Sequence, residues 1–101
     1  MTRPTTAEER KERRAELRRE LYARVDRGEL GLAEAIRMMR KVVGKTQDEY
    51  ARLVGVSPRI YKEIERGAGN PTVETLRKIL RPFRLDVGVR RTREGHGDGS
   101  R

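Results

Sequence analysis

The sequence predicts an all-α bundle with an extended N-terminal helix and one C-terminal β-strand. Three observations predict it. Apolar residues recur at the helical period of 3.6 from Leu17 to Leu80. Helix-start residues at Thr6, Thr46, Ser57 and Thr72 alternate with breakers at Gly28, Gly44, Gly55, Gly67 and Pro82. After Pro82 the period changes to two.

The elements follow in order. Thr6 and Glu9 have capping-box spacing, and no breaker follows before Gly28, so a helix is expected over roughly 7–27, about 30 Å long. Its first half is almost wholly charged. Its second half carries Leu17, Leu21 and Val25 on one row, with Arg10, Arg14 and Arg18 on the same face. A second helix carries Leu32, Ala35, Ile36, Met39 and Val43 and closes at Gly44. Thr46 with Glu49 opens a third, in which Tyr50, Leu53 and Val54 are expected to face inward and which Gly55 ends. Ser57 is a good N-cap, and Pro58 suits the first helical position, where no N–H is needed. The fourth helix that they start turns Tyr61 and Ile64 inward and stops at Gly67. Thr72 caps a fifth with Val73, Leu76, Ile79 and Leu80, ended by Pro82.

In FRLDVGVRR, Leu85, Val87 and Val89 share one face of the expected strand. The chain offers no second strand, so this one needs a partner for its backbone groups. Antiparallel pairing of two copies through Leu85, Val87 and Val89 is the expected dimer contact. The chain thus divides into a charged helical extension (1–31), a helical domain (32–82), a dimerisation strand (83–91) and a disordered tail (92–101).

Composition narrows the function. Charged residues make up 41% and apolar ones 34%, so the core is small and gains from a partner or dimer. The formal charge is +9, and the surplus lies in the compact middle: residues 32–91 hold 14 basic and 7 acidic side chains. That favours a polyanion partner. There is no cysteine and no apolar run of membrane-spanning length, which points to a cytoplasmic protein. His96 stands alone in a glycine-rich tail, and no hydroxyl has a base beside it. No metal, no cofactor and no enzymatic activity are expected.

Two short helices joined by a tight turn form a helix-turn-helix. Ala51 allows close crossing, Gly55 supplies the left-handed turn residue, and Val56 plugs the corner. The second of the two is expected to present Ser57, Pro58, Arg59, Lys62, Glu63 and Arg66, at a scale that fits a DNA major groove.

The residues T46-Q-D-E-Y-A-R-L-V-G-V-S57, I64-E-R-G and N70-P-T resemble the XRE/Cro-type helix-turn-helix domain of phage repressors and bacterial regulators. That resemblance covers residues 32–80 and implies a lambda-repressor-like bundle that binds double-stranded operator DNA, usually as a homodimer. It implies a phosphate contact for Gln47, base-reading positions for Pro58, Arg59, Lys62 and Glu63, and backbone positions for Arg66 and Asn70. It also implies an internal ion pair between Arg40 and Glu65. Lys45 stands where an apolar residue is usual. The final strand is similar to that of HipB-like antitoxins. The expected function is therefore a sequence-specific repressor on a near-palindromic operator, associated with the bacterial nucleoid when bound. The alternative is an antitoxin or adaptor whose N-terminal helix binds a toxin protein.

Overall fold

The computed structural model describes residues 6–91. The expectations on residues 1–5, on the tail 92–101 and on His96 lie outside them. Five helices form: α1 (Ala7–Asp26), α2 (Leu32–Val43), α3 (Gln47–Val54), α4 (Pro58–Glu65) and α5 (Val73–Leu80). A 3-10 turn, Arg81–Phe83, follows α5.

The helix starts have the chemistry that their sequences suggest. Thr6 and Thr46 each accept from the backbone N–H three residues on, and Glu9 and Glu49 accept from the Thr6 and Thr46 N–H groups. Ser57 and Thr72 cap α4 and α5 through their hydroxyls. Gly44 and Gly55 take φ values of 69° and 77°, which a side chain rarely adopts, and so end α2 and α3 sharply.

The core joins all five helices. Leu21, Ile36, Met39, Tyr50, Tyr61, Ile79 and Phe83 are its largest fully or almost fully buried members. The α1 helix runs back along α2: Leu21 is buried, while Leu17, Tyr22 and Val25 pack at the edge. Some periodic apolar residues stay outside. Leu53 and Val73 are 60% and 52% exposed, because two-turn helices reach the core with one narrow stripe. Val42 and Phe83, which the sequence reading passed over, are inside.

The C-terminal strand needs correction. No strand occurs among the described residues. Arg84 takes a left-handed φ of 56°, and the Leu85 N–H donates to the Leu80 carbonyl at 3.3 Å, folding the chain back onto α5. Asp86 then accepts from both the Val87 N–H and Arg77. Local partners thus take up backbone donors that a ladder would use. Leu85 and Val87 rest half-buried on the core, whereas Val89 is fully exposed and does not share their packing.

Candidate nucleic-acid interface

The α3 and α4 helices pack against each other, with Ala51 of α3 wholly buried and Val56 buried in the turn between them. The Val56 N–H donates to the Ala51 carbonyl at 2.9 Å, closing α3 around Gly55. Tyr61 and Ile64 hold α4 down, and the Tyr61 ring lies 5.7 Å from that of Tyr50. The Tyr50 hydroxyl donates to the Ile79 carbonyl at 2.9 Å, tying α3 to α5. Burial pushes the Tyr50 phenol up to about 12.

The end of α4 is fixed by Glu65, the one charged residue buried among those described. Its carboxylate accepts four hydrogen bonds. Arg40 Nε and Nη2 donate at 2.7 and 3.2 Å, Gln47 Nε2 at 2.9 Å, and the Tyr61 hydroxyl at 2.5 Å. Arg37 donates to the Glu65 carbonyl, and Arg40 also reaches the Lys45 carbonyl at 3.2 Å. Burial alone would raise the Glu65 carboxyl, but its bonds from Arg40, Tyr61 and Gln47 prevail and hold it below the ordinary value. Burial and the bond to Glu65 drive the Tyr61 phenol well up, and the same carboxylate raises Arg40. One side chain thus joins the end of α2, the start of α3 and the end of α4.

The outward face of α4 carries the charge. Arg59 is 82% exposed, with its guanidinium 3.7 Å from Glu63. Lys62 Nζ lies 3.1 Å from Asp48 on α3. Glu63 leans on Gly69, where an added Cβ would meet its carboxylate at 3.0 Å. Ser57 is exposed with its hydroxyl spent on the cap, Pro58 is half-buried, and Arg66 is exposed. Asn70 is also exposed, in the loop that lines a cleft with Ile60 and Glu63. Arg59 and Lys62 therefore stand on α4 with Arg66 at its C-cap, while Gln47 is half-buried and bonded to Glu65.

Sequence reasoning missed Asp48 and Arg37. Arg37 precedes Arg40 by three residues, so both lie on one face of α2, and that spacing was a usable signal. Nothing local marks Asp48, whose contact with Lys62 depends on the crossing of α3 and α4. The described residues contain no group of three His, Cys, Asp or Glu able to hold a metal, and no helix long and apolar enough to cross a membrane.

Comparison with known proteins agrees with this geometry. Residues 36–89 match the helix-turn-helix family. A cryptic phage CTXphi transcriptional repressor, RstR of Vibrio cholerae serotype O1, is 36% identical over 56 residues, 55% of this chain and 50% of that protein. The match thus spans half the length of this curated relative. No solved structure matches. With its family match running through the α3–α4 pair and the Glu65 corner, the chain belongs to the XRE-type helix-turn-helix family of transcriptional regulators.

Proposed function

We propose that this protein is a sequence-specific DNA-binding repressor that lays α4 in the major groove. The observation that carries the reading is the cationic face of exposed Arg59, half-buried Lys62 and, at the C-cap, exposed Arg66, on a helix whose far side is locked by Tyr61, Ile64 and Glu65. A rigid cationic probe pays little ordering entropy on binding. The formal charge of +9 favours approach to a polyanion. The named activity of the phage repressor relative supports repression as the outcome.

Within this reading Arg59 donates in a fork to a guanine, and Lys62 exchanges Asp48 for a base or phosphate. Glu63 accepts from cytosine and repels wrong sites. Gln47, Arg66 and Asn70 set register on the backbone. The protein acts as a homodimer. Its operator is near-palindromic, with half-sites about 34 Å apart.

Selection from a random duplex pool, followed by titration of matched and scrambled duplexes, tests this. Arg59→Ala should lose about 1–3 kcal/mol on the matched duplex and relax preference at one base position. Arg66→Ala should weaken both duplexes and lower the salt slope by about one per subunit. Equal losses for Arg59→Ala on both duplexes would overturn the reading.

A further inference from the structure

The N-terminal half of α1 carries charge that α4 does not use. At about 100° per residue, Lys11, Arg14 and Arg18 fall on the side of Leu17, Leu21 and Val25, the side that meets the core. Glu8, Glu9, Glu12, Glu16 and Glu20 fall away from it. The core side of this half therefore carries cations without glutamates, whereas on the outer side Arg13 and Arg19 stand among the glutamates. All three core-side cations are exposed, and they line one shallow depression with Ala15 and Val42. Neither Lys11 nor Arg14 has a carboxylate within ion-pair distance among the described residues.

The position of this row is informative. The Arg14 side chain lies 3.7 Å from where a Cβ on Gly44 would stand. Gly44 leads through Lys45 into the start of α3, and there Gln47 and Arg40 meet Glu65 at the end of α4. The row therefore runs into the corner shared by α2, α3 and α4, where Lys41, Lys45 and Arg66 are also exposed. The carboxylates of that corner are engaged: Glu65 with Arg40, Asp48 with Lys62, and Glu49 with the Thr46 N–H. Its outer surface is left cationic. From Arg14 to Ala7 the helix continues about 10 Å, the rise of about three base pairs.

We infer that Lys11 and Arg14 form a second, sequence-independent DNA contact, holding backbone phosphates beyond the base pairs that α4 reads. This rests on α4 being the groove-reading helix. Phosphate contact is the fitting chemistry because the cations are exposed and arranged in a row rather than built into a pocket. A row of this kind adds affinity and salt dependence without adding base preference.

Two duplexes sharing the selected core decide it, one ending at the core and one carrying about six arbitrary base pairs on each side. The parent should bind the longer duplex more tightly at low salt. The double variant Lys11→Ala, Arg14→Ala should bind the short duplex as the parent does and lose the gain from the flanks. At ~0.9 per phosphate, its salt slope on the long duplex should fall by about two per subunit. Between about 50 and 200 mM salt, the parent should then lose roughly 10-fold more affinity per subunit than the variant. Arg14→Glu should deepen the loss on the long duplex only. An unchanged slope and flank gain in the double variant would overturn the inference. Equal loss on both duplexes with a lowered melting temperature would also overturn it, assigning the row to packing. If the parent does not distinguish core from scrambled sequence, the reading of α4 fails instead, and the difference in slope still decides the role of α1.

Discussion

Glu65 shows how one residue links stability to the interface. Removing it strands the Arg40 guanidinium and the Gln47 amide in a corner built for a carboxylate. Breaking a buried pair from one side costs about 3–5 kcal/mol, a large share of the roughly 5–15 kcal/mol that holds a domain. Glu65→Ala should therefore melt far below the parent and lose binding to every duplex through unfolding. Glu65→Gln keeps two polar atoms and the shape, so it should fall between. The lowered Glu65 pKa gives this a pH signature. The folded state favours the ionised form, so its contribution is present above the unfolded carboxylate value and is lost as pH falls through the folded one. Urea melts from pH 7 to pH 3 should show a steeper acid loss for the parent than for Glu65→Gln. Parallel profiles would mean that Glu65 is not the titrating support. Tyr50 behaves oppositely: its raised value leaves its contribution intact below the ordinary tyrosine range and removes it as pH climbs through about 12.

At the scale of the element, α4 has only eight residues, too few to persist alone in water. Packing makes it a helix, and the same dependence explains what could be read beforehand. Caps and glycine stops are local, so Thr6, Thr46, Gly44, Gly55 and Ser57 announce helix ends in the sequence itself. Contacts are not local. The pairing of Asp48 with Lys62 and the bond from Gln47 to Glu65 arise only once α3 and α4 cross. Alternation over Leu85, Val87 and Val89 suggests a strand, but alternation supplies no ladder, and Arg84 and Asp86 turn the segment onto α5 instead. Phe83 was hidden in that alternating run. It is buried, with the Arg18 guanidinium 5.3 Å from its ring, and its carbonyl accepts from the Tyr22 hydroxyl at 2.9 Å. Phe83→Ala should cost about 3–5 kcal/mol, whereas Leu53→Ala, at a 60% exposed site, should stay within about 0.5 kcal/mol. Thermal melts of the two variants check this, and equal shifts would contradict the assigned core.

At the scale of the molecule, α1 and the helix-turn-helix share one core. Leu21 is wholly buried against residues of α2, and Tyr22 reaches past them to the 3-10 turn after α5. A helix that were only an appended arm would leave the stability of α2 to α5 indifferent to its apolar row. Here the row closes one side of the layer containing Ile36 and Met39, so a cavity at Leu21 is a cavity in the common core. Leu21→Ala should lose about 2–5 kcal/mol. At roughly 4–8 °C per kcal/mol for a domain of this size, the whole cooperative melt should move down by about 10 °C or more. Hydrogen exchange locates the effect. Amides of α4, which Leu21 precedes by more than thirty residues in the chain, should lose protection together with those of α1. Below its melting range the variant should still bind the matched duplex, because no α4 side chain has changed. Retained protection in α4 with loss confined to α1 would show that the arm unfolds by itself, and would separate it from the unit that carries α4.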